Sequence, residues 1–163
     1  MAQTNVRAAT AADKELFKNL FNVYHSELGL YCSEFQDVDG NGYFDNHYVD
    51  QYFSDDKSLL PLVIEHDNRI VGVAVVSIPP YCAPGCDFCL QEFFIVGYYR
   101  GTGVAEAAAR AIFGLFGGRF CAATLSNNDH AVDFLRRVFT PFGGTESPYG
   151  EGFLMFEANV FGN

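Results

Sequence analysis

The sequence predicts a single α/β domain over residues 1–163, with a mixed, mostly antiparallel sheet flanked by helices. Three observations carry this expectation. The chain has 163 residues, 49% hydrophobic and 16% aromatic, enough for one core and too little for two. Strand-like runs are interspersed with segments whose apolar residues recur at helical spacing. A central β-rich run, Leu90–Val96, passes through a glycine turn directly into an Ala-rich helix, Val104–Phe116. No internal repeat or linker interrupts this order.

Val6–Ala9 reads as a first strand. Thr10-Ala11-Ala12-Asp13 resembles a capping box with Asp in place of the usual Glu. Leu16, Phe17, Leu20, Phe21 and Tyr24 then recur at helical spacing, so a helix is expected from about Ala11 to Leu28. Residues 32–57 are acidic, aromatic and rich in Gly and Asn, which predicts a loop with a short helix near Tyr48–Phe53. Long irregular segments of this kind are often functional. Pro61–His66 and Arg69–Ile78 are β-rich and separated by Asp67-Asn68, a hairpin pattern. Pro79-Pro80 and Pro84-Gly85 force a loop. Beyond the central helix, Phe120–Leu125 reads as a strand and Asn128–Phe139 as a helix with Asn and Asp near its N-cap. Gly143–Val160 holds turn residues and a closing strand at Phe153-Leu154-Met155-Phe156.

The formal net charge is -10. Such a surface repels phosphate backbones and anionic lipid, so neither nucleic acid nor a membrane is an expected partner, whereas small cations are attracted. Met1-Ala2-Gln3-Thr4-Asn5 has no basic region leading into an apolar run, and no apolar stretch has the length of a membrane span. Five cysteines, an odd number, without an export signal predict reduced thiols in the cytoplasm.

The chemistry concentrates at Arg100-Gly101-Thr102-Gly103-Val104-Ala105. Glycines between a strand and a helix let a ligand approach the backbone, and the helix N-terminus aims N–H groups and a positive dipole at it. A pyrophosphate is the natural guest, with Arg100 as a charged donor. The Gly-Lys-Ser/Thr of a Walker loop is absent, and Glu106 stands where a dinucleotide fingerprint needs Gly or Ala.

Arg-x-x-Gly-x-Ala after a Phe-Phe-Ile strand, with Asn128-x-x-Ala131-x-x-Phe134 opening a later helix, resembles the signatures of the GNAT superfamily of acetyl-CoA-dependent N-acetyltransferases. The resemblance covers essentially the whole chain and is strongest to small bacterial members of unassigned substrate. Gln91-Glu92-Phe93-Phe94 also resembles polyamine acetyltransferases. The resemblance implies acetyl-CoA as cosubstrate and a splayed fourth strand. The pantetheine arm would lie along the backbone of Phe93, Phe94 and Ile95 as an added strand does. The pyrophosphate would sit on Arg100, Gly101, Thr102, Gly103, Val104 and Ala105, and Asn128 would contact the cofactor near its thiol end. Dimers are common in the family.

Amine acylation needs a neutral nucleophile, and an amine of pKa near 10.4 is protonated at pH 7. A carboxylate base answers that need. Glu92, beside the implied thioester, is the leading candidate. Glu34, Asp37, Asp39 and Asp45 in the acidic loop are better suited to attracting a cation. Many family members carry a Tyr after the aromatic residue of the second signature, as the acid that protonates the leaving thiolate. Here that position is Leu135, which cannot donate; Tyr98, Tyr99, Tyr149 or water are the substitutes.

Two metal-like patterns compete with this reading. Asp37–Asp45 follows the first nine positions of an EF-hand loop, but Tyr48 occupies the twelfth, which should be Glu. Cys82, Cys86 and Cys89 have the spacing of radical-SAM iron–sulfur sites, with too little chain after them for that fold; a zinc site would need Cys32, Cys121 or a His as fourth ligand. Plain reduced thiols are favoured, and no metal is expected. The sequence thus points to an N-acetyltransferase acting on a primary amine, small and cationic or on a protein. The alternative is a non-catalytic domain that binds or senses acyl-CoA.

Overall fold

The computed structural model describes residues 1–160. Seven strands form one sheet: β1 (Thr4–Ala8), β2 (Leu59–His66), β3 (Arg69–Ser77), β4 (Phe88–Ile95), β5 (Gly118–Leu125), β6 (Thr145–Tyr149) and β7 (Phe153–Val160). Their order across the sheet is β1-β2-β3-β4-β5-β7-β6. Every neighbouring pair is antiparallel except β4 and β5. The helices are α1 (Lys14–Leu28), the short α2 (Val49–Tyr52), α3 (Val104–Phe116) and α4 (Asp129–Phe139).

Strand alternation distributes the core to both faces. On β2, Leu62 and Ile64 pack with the buried faces of α3 and α4, among them Ala108, Ile112, Phe113, Leu135 and Phe139. Leu59 and Val63 pack with Phe17 and Phe21 of α1 and Val49 and Tyr52 of α2. The expected start of α1 is held by Asp13, which accepts the Thr10 N–H at 2.8 Å and forks with Arg7 at 2.9 and 3.1 Å. Those bonds hold the Asp13 carboxyl down at about 2, the one from Arg7 counting most.

At Gly72 in β3, a Cβ would overlap the Phe94 carbonyl oxygen and meet Ile95 Cδ1 at 2.9 Å. Backbone cannot retreat there without opening the β3–β4 ladder. Gly72→Ala should therefore lower stability by about 1–3 kcal/mol. Gly40→Ala, where the added carbon meets nothing within 4 Å, is the control in a thermal melt.

The order of elements matches the expectation, with differences at element ends. β1, β2, β4 and β5 begin at Thr4, Leu59, Phe88 and Gly118, each two residues before the expected start, and α1 begins at Lys14 after a short turn over Ala11–Asp13. A whole edge strand, β6, lies in the segment expected to hold turns before the closing strand. Its residues, Thr-Glu-Ser-Pro-Tyr, are all exposed, so they carry no alternation to read; pairing to β7 alone makes them a strand. Among the described residues, no helix is long and apolar enough to cross a membrane.

Candidate active site

The β4–β5 junction creates an opening. The two strands pair only at Phe88↔Phe120 and Cys89↔Cys121. Beyond this vertex β5 continues against β7 and β4 against β3, so the β5-facing edge of Leu90–Ile95 is unpaired within the sheet. A bulge accompanies the divergence. Val75 pairs with Glu92 and Val76 with Leu90, leaving Gln91 as the extra residue, and bulges bend a strand and re-aim its side chains. Phe93, Phe94 and Ile95 thus lie on a strand edge open to an extended ligand, the arrangement expected for a pantetheine arm.

The slot leads to the turn before α3. Gly101 and Gly103 have φ of +71° and +88°, the left-handed region that favours glycine, and a Cβ at either would meet nothing within 4 Å. Among the described residues, the amides of Gly101, Thr102, Gly103, Val104 and Ala105 donate to no backbone acceptor. The result is a row of unpartnered N–H groups at the positive end of a 13-residue helix. Thr102 Oγ1 turns back to the Tyr99 carbonyl at 2.5 Å. Arg100 is engaged elsewhere than expected: Nε donates to the Ile95 carbonyl at 2.8 Å, a terminal nitrogen pairs with Glu27 at 2.7 Å, and the guanidinium lies 5.3 Å from the Phe94 ring centroid. It ties the end of β4 to α1, beside the row of main-chain amides that face the opening.

Glu92 lies on the α1/α2 side of the bulge. Burial pushes its carboxyl up to about 7, while the nearby hydroxyls of Tyr24 and Tyr52 pull it the other way. The residue keeps some solvent-accessible surface, yet desolvation is still the leading cause. Both phenols are pushed up, by burial first and then by the nearby Glu92 charge, so they stay protonated donors. Gln91 opposes the rise at Tyr52, and its own carbonyl Oε1 is buried without a partner. Tyr24 and Tyr52 were not legible as site residues: Tyr24 occupies the apolar stripe of α1, and Tyr52 sits in a four-residue helix.

Asn128 caps α4, its side chain accepting the Ala131 N–H at 3.3 Å, and its neighbour Asn127 reaches across to the Tyr31 carbonyl at 3.0 Å. Phe134 stacks on Phe93 at 4.9 Å between centroids, holding α4 against the slot. Leu135 points into the core and is 5% exposed, so α4 brings no proton donor there. Of the tyrosines considered as substitutes, Tyr98 is 86% exposed and Tyr99 packs toward His66. Tyr149 lines a cavity of about 300 Å³.

That cavity adjoins the vertex and is walled by Tyr81, Cys82, Cys89, Gln91, Cys121 and Met155 among others. The acidic loop between α1 and α2 is pinned to α1. His25 is buried, stacks on Phe35 at 4.2 Å and bonds the Tyr48 hydroxyl; burial lowers its pKa to about 4, so it is neutral at pH 7. Glu34, Asp37, Asp39 and Asp45 are exposed on this loop. Asp39 accepts the amides of Asn41 and Tyr43 at 2.8 and 3.0 Å, and Asp45 contacts His47 at 2.6 Å. Among the described residues, no group of three or more His, Cys, Asp or Glu is arranged to hold a metal ion.

Comparison with known proteins gives this geometry a lineage. Residues 22–139 match the model of the acetyltransferase (GNAT) family. A comparison with curated protein sequences finds no match. Among solved structures, the GNAT domain of S. lividans PAT is 18% identical, with 96% of this chain and 90% of that one covered and a TM-score of 0.70. An acetyltransferase from Thermus thermophilus is 19% identical, with 98% and 97% covered and a TM-score of 0.69. The PaiA N-acetyltransferase from Thermoplasma acidophilum, solved in complex with coenzyme A, is 12% identical, with 97% and 99% covered and a TM-score of 0.63. At these identities the structures show a shared fold; the family match spans more than half of the chain, and this protein belongs to the GNAT acetyltransferase family.

Proposed function

We propose that this protein transfers an acetyl group from acetyl-CoA to a small primary amine, with Glu92 as the base that neutralises it. The observation that carries the reading is a carboxyl held near neutrality at the bulge of a strand whose free edge leads to an open anion cradle. The residues fit the cosubstrate: unpartnered amides of Gly101–Ala105 suit a diphosphate, and the unpaired edge at Phe93, Phe94 and Ile95 suits an amide-bearing arm. Acetyl-CoA supplies an activated acyl thioester.

Glu92, once ionised, takes a proton from the ammonium group, directly or through water. Tyr24 and Tyr52 favour the carboxylate against the burial that raises its pKa. With Leu135 in the core, the departing thiolate takes its proton from water, which its modest basicity permits. A cationic acceptor is supported by the net charge of -10 and by exposed Glu34, Asp37, Asp39 and Asp45. The 300 Å³ cavity beside Gln91 is sized for a small body. A protein amine is the other acceptor class, the cytoplasm the expected setting, with a homodimer as one state open to it, and nucleic acid and membrane remain unsuited to so acidic a chain.

The buried Leu135 favours a second reading, a non-catalytic domain that binds or senses acyl-CoA. Thiol release from acetyl-CoA across polyamines, aminoglycosides, aromatic amines and lysine peptides separates the two. Tight coenzyme A binding with no turnover on any amine would leave the sensor. If the enzyme reading holds, Tyr24→Phe and Tyr52→Phe each remove a hydroxyl that favours the Glu92 carboxylate. Its pKa then rises, and the acid limb of the kcat/KM profile should move from near pH 7 to higher pH. A limb that stays put would detach the two phenols from Glu92.

A further inference from the structure

We propose that Cys89 and Cys121 are an oxidisable pair that closes to a reversible disulfide when a hydroperoxide enters the adjoining cavity. The two residues are direct partners in the β4–β5 ladder, at its last position before the strands part. Neighbouring strands run about 4.7–4.9 Å apart, inside the roughly 4.4–6.8 Å between Cα atoms that a disulfide spans. Register thus sets the backbone spacing without requiring the chain to move. Both side chains wall the same 300 Å³ cavity, with Cys82 beside them. Cys86 packs with Cys121 and Met155, its sulfur 3.4 Å from Glu157 Oε1.

Four of the five cysteines therefore converge on one end of the sheet, and all five are free thiols. Their arrangement is not that of a metal-ligand set among the described residues. Their protons are unequally held. The neighbouring Cys89 thiol above all, with the Ala83 amide and Cys86, holds the Cys121 thiol down against the opposing effect of burial. The Cys86 and Cys89 thiols are pushed up. Cys121 is thus the thiol of the cluster most readily ionised, and thiolates are the nucleophiles of this chemistry.

The step balances as follows. The Cys121 thiolate attacks the hydroperoxide, the O–O bond breaks to give a sulfenic acid, and the departing alkoxide, or hydroxide from hydrogen peroxide, takes up a proton from solvent in place of the one Cys121 had released. The Cys89 sulfur then attacks the sulfenic sulfur, the S–O bond breaks, and water leaves with the Cys89 proton. Two thiols are oxidised, one peroxide is reduced, and an external dithiol reverses the reaction. The bond would pin the vertex from which the slot opens and stiffen the wall of the cavity.

Purified full-length protein is treated with hydrogen peroxide, alkylated, digested with trypsin and mapped by mass spectrometry, with and without later dithiothreitol. The expected result is a dithiothreitol-sensitive crosslink between the peptides carrying Cys89 and Cys121, with fragmentation placing it at Cys89. Cys82→Ala and Cys32→Ser should keep this crosslink, and Cys89→Ala should lose it. A bond to Cys82 or Cys86 instead, thiols that all stay free, or native mass retaining a metal ion on the thiols would overturn the proposal. Wild-type mapping decides the matter even if a variant fails to fold, and it does not depend on acyl transfer.

Discussion

Glu92→Gln is expected to reduce turnover by about 10²–10⁴-fold, the usual contribution of a positioned general base, while coenzyme A affinity stays nearly unchanged. The amide is close in shape to the carboxyl but cannot accept the ammonium proton. Stability should move the other way. The Glu92 carboxyl is raised from an ordinary 4.5 to about 7, chiefly by burial. The folded state then holds this proton more tightly than the unfolded chain does. Its stabilising contribution is complete below pH 4.5 and is lost as pH rises through about 7. Gln has no such loss, so the variant should match wild type near pH 4 and exceed it above pH 8 by on the order of 2 kcal/mol. Denaturation at both pH values, set beside steady-state kinetics, checks the pair of effects. A catalyst that became more stable on losing activity would mark Glu92 as held against its own solvation for function. Unchanged turnover would remove it from the mechanism.

Glu92 is reached through the resemblance, which places it beside an implied thioester; the strand, the glycine turn and the helix around it are local features, each written within a few residues. The same holds for Gly101 and Gly103, whose positive φ values only glycine accepts freely, and for α3, which runs over Val104–Phe116 as its periodicity implies. What could not be read is what depends on residues far apart in the chain. Tyr24 and Tyr52 reach Glu92 only when α1 and α2 pack on β4. Arg100 looked like a diphosphate ligand by adjacency, but Glu27 on α1 takes part of its fork. β6 exists because β7 pairs with it, not because its own residues alternate. The cysteines showed a spacing but not a partner, and the register of a parallel pair placed Cys121 against Cys89. The acidic loop is a third case: its metal-like spacing is spent on its own turn, where Asp39 accepts main-chain amides.

Gly103→Val should weaken coenzyme A binding by about 10–100-fold, the equivalent of one or two hydrogen bonds to a charged group. At φ +88° and ψ -5° the backbone is left-handed, which costs a side-chain-bearing residue about 1–2 kcal/mol and a β-branched one more. That strain alone would be a folding effect. The added Cβ, however, meets no protein atom within 4 Å, so the valine extends into open space at the turn that carries the unpartnered amides. It would occupy the volume a diphosphate needs, and ligand loss should exceed what destabilisation explains. Gly143→Val is the matched control: its φ of +67° imposes similar strain, its Cβ is equally unobstructed, and it lies after α4, away from the cradle. Calorimetric titration of both variants with coenzyme A separates the two effects. If they lose affinity alike, or neither does, the anion is held somewhere other than the start of α3; if only Gly103→Val loses it, the main-chain amides there are the grip on which the acetyl donor depends.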